Sequence, residues 1–176
     1  MRFTAQEEYG LRCMLQLARH APVPPAALSV HEIAEHESLS TAYVAKLLRV
    51  LREAGLVLGT RGQKGGYTLC RPAAELTVGE VLVAFGGKLY SPEFCEKHAG
   101  NDASCVHAST ECSIRTLWDG LDRVVHSVLD KLALTDLLEG RGPEAWVRRA
   151  LSLARPLPVA TDDRRSASFA PDPVRA

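Results

Sequence analysis

The amino-acid sequence predicts a mainly α-helical protein with one small β-hairpin, on three observations. A Ser or Thr is followed three residues later by Glu at Thr4, Ser29 and Thr77, and each pair is a capping box that starts a helix. Apolar residues then recur every three or four positions, as they do on the buried face of a helix. One Gly-rich basic turn lies between two short apolar runs, which is the pattern of a hairpin.

The predicted elements carry start and stop signals. In chain order they are a helix over about 4–20, a Pro-rich loop at 21–27, a short helix from Ser29 to about 36, a helix over 41–54, a hairpin over 56–69, a helix over 77–85 and a long helix over 113–134. Ser40 is an N-cap for the third helix, and Gly55 follows its end. Gly86 closes the fourth helix, and the prolines keep any helix from crossing the loop.

The net charge of the 176-residue chain is zero, yet its basic residues are unevenly placed. Residues 41–71 contain six basic side chains and a single acidic one, Glu53. The six are Lys46, Arg49, Arg52, Arg61, Lys64 and Arg71. A local basic patch on a neutral protein favours a polyanionic partner, although a solvated surface has the same composition.

A short helix, a tight turn, a second helix and a basic hairpin follow one another, which is the order of a winged helix-turn-helix. The helix over 41–54 has an apolar face for the core and leaves its opposite face free for the major groove of double-stranded DNA. The candidate DNA-contacting residues are Thr41, Ala42, Tyr43, Lys46, Arg49, Arg61 and Lys64. Such a unit also serves as a protein-interaction module, Tyr43 also suits the core, and Arg49 also suits a salt bridge.

The long helix over 113–134 carries an apolar stripe that continues to Leu132 and is too extensive for one small domain to cover. A second copy of the chain is the simplest cover, so we expect a homodimer. The candidate dimerisation residues are Ile114, Leu117, Trp118, Leu121, Val125 and Val128. Two recognition helices related by a twofold axis would read a palindromic operator. The alternative is a helix that packs back onto its own domain.

Three of the five cysteines, Cys95, Cys105 and Cys112, lie in or beside an irregular polar segment. Buried structural cysteines occur in apolar periodic segments, as Cys13 and Cys70 do, so the other three are candidate ligands. Thiolates select zinc, copper(I) or an iron–sulfur cluster, and the spacing is not that of a zinc finger. Three thiolates leave a fourth ligand to come from elsewhere. The alternatives are reduced surface thiols and a regulatory disulfide.

Other classes of protein are excluded by what the chain lacks. It has no apolar run of roughly 18 residues, which excludes a membrane span, and Glu7 and Glu8 stand where a secretory leader needs an apolar core, so we expect a cytoplasmic protein. It has no HExxH, GxSxG, GxxxxGK[ST] or CxxC motif, so we expect neither an enzyme nor a small-molecule substrate. The expected parts are a winged helix-turn-helix domain over 1–87, a cysteine-containing loop over 88–112, a dimerisation helix over 113–139 and a flexible tail over 140–176.

The chain also resembles a known family. The segments MRFTAQEEYGLRCMLQLA, SVHEIAEHESLSTAYVAKLLRVLREAGLV, RGQKGGYTLCRPAAELTVGEVLVAFGG and CSIRTLWDGL are similar to the IscR/NsrR-type (Rrf-two) family of bacterial transcription regulators, over about residues 1–138. The most specific pieces are RGxxGGYxLxRP, the ELTVGEVLxAxxG after it and the three cysteines before a long helix. The resemblance implies a dimeric winged-helix regulator, which we expect to be a repressor, with an iron–sulfur cluster that senses redox poise, nitric oxide or iron–sulfur status.

The resemblance implies Cys95, Cys105 and Cys112 as cluster ligands. In the biogenesis-regulator type a His follows three residues after the last cysteine, where this chain has Arg115. The nitric-oxide-sensing type takes an acidic ligand from its first helix, and Glu8 matches it, so Glu8 is the expected fourth ligand unless it is only a solvated charge. Further candidates are His31, His36, His98 and His107. We expect [2Fe-2S] rather than [4Fe-4S]; the alternative is a cluster-free regulator that switches by thiol oxidation.

Overall fold

The structure, a computed structural model, describes residues 4–21, 27–62, 65–88 and 112–139 and the single positions 144, 148 and 152. In chain order its elements are α1 (Ala5–Arg19), α2 (Val30–Glu37), α3 (Thr41–Glu53), β1 (Val57–Thr60), β2 (Gly66–Leu69), α4 (Val78–Ala84), α5 (Ser113–Leu129) and α6 (Leu134–Leu138). The predicted fold class, mainly α with one β-hairpin, is confirmed.

All three predicted capping boxes are formed. In the first, Thr4 Oγ1 accepts a hydrogen bond from the Glu7 backbone N (3.2 Å), and the Glu7 carboxylate accepts one from the Thr4 backbone N (2.6 Å). Ser29 and Thr77 make the same reciprocal bonds with the glutamates three residues later. Each box satisfies backbone N–H groups that the helix itself leaves free, which is why these helices start where the sequence indicates.

One apolar core joins α1 to α2, α3 and α4. Its largest fully buried side chains are Met14, Ile33, Leu47, Leu48, Leu51, Leu76, Leu134, Val44, Val57 and Val81. Cys13 is fully buried in this core and Cys70 packs against it partly buried, as their places in apolar segments predict. The core therefore holds α3 by one face and leaves its other face in solvent.

The hairpin is tied to the segment that precedes α2. β1 and β2 are antiparallel, with Val57 opposite Leu69 and Thr60 opposite Gly66. Outside this pair, Leu28 N donates to Tyr67 O (3.1 Å) and Tyr67 N donates to Leu28 O (2.7 Å). These two hydrogen bonds fix the position of the hairpin relative to the helix-turn-helix.

We expect Gly66→Ala to destabilise the protein by about 1–3 kcal/mol through overpacking. A Cβ on Gly66 would lie 2.5 Å from the backbone oxygen of Leu28, which the two hydrogen bonds to Tyr67 hold in place. Gly59→Ala in the facing strand is the matched control, because its Cβ would meet the Tyr67 ring at 3.5 Å and Arg52 Cδ at 3.9 Å, which are ordinary contacts. Urea unfolding measures both variants, and equal losses of stability would contradict the prediction.

The long helix is shorter than the apolar spacing predicts. α5 ends at Leu129, and the chain then pairs with the segment before α4: Val78 N donates to Leu132 O (2.8 Å), and Leu134 N donates to Leu76 O (2.9 Å). Leu132 is consequently buried in the domain instead of extending the stripe of α5. The part named as the dimerisation segment over 113–139 thus contains two helices, and the second, α6, packs against α1.

Several expectations fall outside the described residues. These are the Pro-rich loop at 22–26, the hairpin tip at 63–64, the cysteine-containing segment over 89–111 and the tail beyond 139 except its three single positions. No helix in the described ranges is both long and apolar enough to span a membrane.

Candidate nucleic-acid interface and cysteine site

A tight turn joins α2 to α3, as predicted. α2 ends at Glu37, and Ser38 adopts a left-handed φ of 53°, which reverses the chain within two residues. Leu39 N donates to Ala34 O (2.9 Å), and Ser40 then caps α3 by accepting from the Tyr43 backbone N (3.3 Å). The turn thus places α3 directly after α2 in helix-turn-helix order.

α3 has one buried face and one exposed face. The buried residues are Val44, Leu47, Leu48 and Leu51, the set predicted from apolar spacing. The exposed residues are Thr41, Ala42, Ala45, Lys46, Arg49, Arg52 and Glu53. Four of the predicted DNA-contacting residues lie on this face. Ala45 lies there too, and the prediction did not include it because a methyl group gives no charge or hydrogen-bonding signal. Its helical spacing, four residues after Thr41 and before Arg49, could have found it.

Tyr43 uses its ring for packing. It is partly buried against the core, and its ring meets the Tyr9 ring edge to face, with centroids 6.0 Å apart. The packing role that the sequence leaves open is therefore present, and Tyr43 links the start of α3 to α1. A contact between Tyr43 and DNA stays a prediction.

The cations near the exposed face of α3 differ in their partners. Arg49 Nε donates to Glu53 Oε1 (2.8 Å), and this hydrogen bond and charge raise the pKa of Arg49. Lys46, Arg52 and Arg61 are exposed and form no ion pair with any described residue. The aliphatic part of the Arg52 side chain lies beside Gly59 of β1. Its Cδ is 3.9 Å from the position that a Cβ on Gly59 would occupy. These cations therefore extend from α3 to the hairpin.

We expect Glu53→Gln to strengthen DNA binding about two- to fivefold and to steepen its salt dependence. The change removes one negative charge from the α3 face and releases Arg49 for a phosphate. Asp119→Asn is the matched control, because Asp119 makes the same i,i+4 pair with Arg123 on α5. Fluorescence anisotropy of a labelled duplex at several salt concentrations measures the effect, and an equal gain in the control would attribute it to net charge alone.

The predicted cysteine ligands are described only at Cys112. It is the residue before α5, and its thiol is free and partly exposed. Its carbonyl oxygen accepts from Thr116 N (3.0 Å) and Oγ1 (3.2 Å), which fixes the backbone at this helix start. Cys95 and Cys105 lie outside the described residues, and within these no three His, Cys, Asp or Glu side chains gather as a metal site.

Glu8, the predicted fourth ligand, is exposed on the first turns of α1. Its carboxylate pairs with Arg12 Nη2 (2.8 Å), which raises the pKa of Arg12. The same guanidinium lies 5.5 Å from the centroid of the Tyr9 ring and 3.9 Å from Glu37 Oε2. Arg12 thus connects Glu8 to the last residue of α2. Of the other candidates, His31 and His36 are exposed on α2, and His98 and His107 lie outside the described residues.

We expect Cys112, and not Cys13, to react with iodoacetamide in the folded protein. Burial raises the pKa of the Cys13 thiol to about 12, so almost none of the nucleophilic thiolate is present near pH 8, and no surface is open to the reagent. Peptide mass spectrometry before and after denaturation measures the labelling of each cysteine. Labelling of Cys13 in the folded protein would contradict this prediction.

α5 exposes most of its predicted dimerisation residues. None of its residues is buried, and Ile114, Leu117, Trp118 and Leu121 are 61%, 53%, 47% and 42% exposed. Val128 departs from this pattern, because it packs beside Val78, Leu82 and Leu132 within its own domain. The open apolar surface therefore runs from Ile114 to Val124, which is also 42% exposed.

Comparison with known proteins gives consistent matches. The sequence profile of the Rrf2 family, described as "Iron-dependent Transcriptional regulator", matches residues 3–140. The protein rrf2 of Nitratidesulfovibrio vulgaris is 32% identical over 138 residues, which are 78% of this chain and 87% of that protein. The HTH-type transcriptional regulator IscR of Vibrio atlanticus is 32% identical over 139 residues, 79% of this chain and 76% of that protein.

Solved structures with the same fold include T. potens IscR, which is 28% identical with a TM-score of 0.59 and covers 79% of this chain and 87% of its own. CymR of B. subtilis, titled the global cysteine regulator, is 29% identical with a TM-score of 0.62 and covers 80% and 98%. The oxidized form of Staphylococcus aureus CymR is 31% identical with a TM-score of 0.58 and also covers 80% and 98%.

Proposed function

Because the chain belongs to the Rrf2 family of transcription regulators, we propose that it is a homodimeric repressor whose affinity for a palindromic operator is controlled by an iron–sulfur cluster. The chain is a DNA-binding transcription regulator and not an enzyme. The observation that carries the proposal is the exposed face of α3, where Lys46 and Arg52 form no ion pair with a described residue, beside a hairpin fixed to the same domain.

The α3 face supports direct reading of the major groove. Thr41 and Ala42 stand at the helix start, where side chains of a recognition helix meet base edges. The methyl groups of Ala42 and Ala45 suit contact with thymine, while Lys46 suits guanine. Arg52 and Arg61 suit phosphates on either side of the groove, because they are exposed and unpaired with described residues.

The α5 face supports a homodimer. Four large apolar side chains in its first half are exposed in the single chain, and isolated soluble domains rarely keep such a contiguous patch open to water. A twofold axis across α5 would bury the patch against its own copy and place two α3 helices for two half-sites. The backbone pairing of Leu132 and Leu134 with the segment before α4 attaches α5 rigidly to the DNA-binding domain.

The residues suit an iron–sulfur cluster in their chemistry. Cys112 offers an accessible thiol at a fixed helix start, and Cys95 and Cys105 offer two more in the sequence. The exposed Glu8 carboxylate is the candidate fourth ligand, and such a cluster would supply redox and nitric-oxide sensitivity when bound. If Glu8 turned away from Arg12, the Arg12 guanidinium would still lie near Glu37 and the Tyr9 ring. Glu37 ends α2 and Tyr9 packs on Tyr43 of α3, so both contacts lead to the helix-turn-helix.

Iron and sulfide counts on anaerobically purified protein test whether the cluster is bound. Operator affinity of the protein with and without the cluster, measured at one salt concentration, tests whether the cluster controls DNA binding. We expect about two iron atoms per chain, their loss in Cys112→Ala, and retention in Cys70→Ala, because Cys70 packs partly buried against the apolar core. Glu8→Gln should weaken iron retention. Equal operator affinity of the two forms would contradict cluster control while leaving DNA binding intact.

A second candidate is a regulator of the same fold that switches by thiol oxidation. The similarity to CymR, including an oxidized form, favours it, as does Arg115 in the position where the biogenesis-type regulators have His. Protein that stays free of iron after reconstitution, and that loses about two hydrogen masses on oxidation, would support this candidate.

A further inference from the structure

A small cavity lies between α1 and the end of α2, outside the cysteine site and the exposed face of α3. Its volume is about 230 Å³, and it is lined by Arg12, Leu15, Arg19 and Glu37. Pockets for drug-sized ligands are typically larger, at about 300–1,000 Å³, so this one suits a single small metabolite. Its lining contains two guanidinium groups, one carboxylate and one apolar side chain.

The Glu37 carboxylate is only half satisfied. Its side chain is 9% exposed, and Oε1 accepts a hydrogen bond from Gln16 Nε2 (2.5 Å). Oε2 lies 3.9 Å from Arg12 Nη1, which is too long for a hydrogen bond, and no other donor among the described residues reaches it. Oε2 is not sealed from solvent, so it keeps acceptor capacity on the cavity side for a cationic or polar partner.

The two arginines are available on the opposite side of the lining. Arg19 is exposed and forms no hydrogen bond or ion pair with a described residue. Arg12 directs Nε and Nη2 to Glu8 and leaves Nη1 toward the cavity side, near Glu37. Guanidinium groups bind carboxylates through charge-assisted hydrogen bonds, so this part of the lining suits an anionic group.

We propose that this cavity binds a small zwitterion with the chemistry of a free α-amino acid, with its ammonium on Glu37 and its carboxylate on Arg19 and Arg12. An inorganic anion would leave Glu37 Oε2 without a donor, and a metal cation would be repelled by the two arginines. Leu15 would contact an aliphatic part of the ligand. The ligand would be an effector and not a substrate, and the proposal does not depend on a cluster.

The site is well placed to influence DNA binding. Glu37 is the last residue of α2, and Ser40, three residues later, is the N-cap of α3. A ligand that joins Glu37 to α1 would therefore affect the position of the turn that orients the recognition helix. This would give the regulator a second input, which shares Arg12 with the link from Glu8 to the helix-turn-helix.

The test is thermal denaturation of the full chain with each of the twenty amino acids in turn, at roughly millimolar concentration, followed by calorimetric titration of those that raise Tm. For the best of them, the analogues that lack the amine or the carboxylate should bind at least about tenfold more weakly. Arg19→Gln and Glu37→Gln should show a similar loss. Gln at position 37 can still accept from Gln16, and Arg19 is on the surface, so both variants should fold.

Arg123→Gln is the control, because it removes an exposed arginine from α5 and should bind as the wild type does. Three outcomes would overturn the proposal. No amino acid raises Tm; the analogue without the amine binds as tightly as the amino acid; or Arg19→Gln and Glu37→Gln both keep wild-type affinity. None of these measurements requires DNA or iron, so their failure is distinct from failure of the proposed function.

Discussion

Replacing Leu121 with Asp is expected to convert the protein to monomers and to weaken operator binding about 100-fold or more. Leu121 is 42% exposed in the single chain, at the centre of the apolar surface of α5. Each α5 would bring one uncompensated charge into the interface between copies. Two linked half-site contacts would then become independent, which removes the avidity of the dimer.

Sedimentation equilibrium measures the mass, and anisotropy with an operator selected from random duplexes measures the affinity. Ser127→Asp introduces the same charge on the polar side of α5, where the Ser127 hydroxyl donates to Val124 O in solvent, and should stay dimeric. Because α5 has no buried residue, Leu121→Asp should retain the circular dichroism of the wild type. A dimeric Leu121→Asp protein would disprove the α5 interface.

The double variant Lys46→Ala, Arg52→Ala is expected to lose about 100-fold in DNA affinity at low salt, and its salt slope should fall by about two. Both side chains are exposed cations on or beside the α3 face and have no ion pair with a described residue. Their phosphate or base contacts would therefore be lost without any compensating gain. Truncation to Ala keeps the helix, since Ala has the highest helix propensity.

Arg49→Ala is the informative comparison. Each change removes one positive charge, but Arg49 is already held by Glu53 and would have to leave that pair to reach a phosphate, so the loss should be smaller than for Arg52→Ala. The same salt series measures both single variants. Equal losses for Arg49→Ala and Arg52→Ala would show that the Glu53 pair is broken when DNA binds.

Local sequence signals were sufficient for the helix starts and for the faces of α3. A capping box needs only two residues three apart, and the buried face of a helix follows from apolar spacing alone. The same signals misplaced the end of α5, because Leu132 continues the apolar spacing although its backbone pairs with Val78 from a distant segment. Periodicity reports which side chains are apolar and does not identify the surface that covers them.

The sequence by itself determined the fold class, the order of the elements, the basic region and the family, because these depend on residue type and on short spacing. Tertiary structure decided which of those residues are free to act. It turned Tyr43 onto Tyr9 and left Arg52 unpaired with described residues. It also brought Arg19 and Glu37 to one cavity. These outcomes depend on contacts between residues distant in the chain or on competition among neighbouring charges, and neither is encoded in the spacing of a single element.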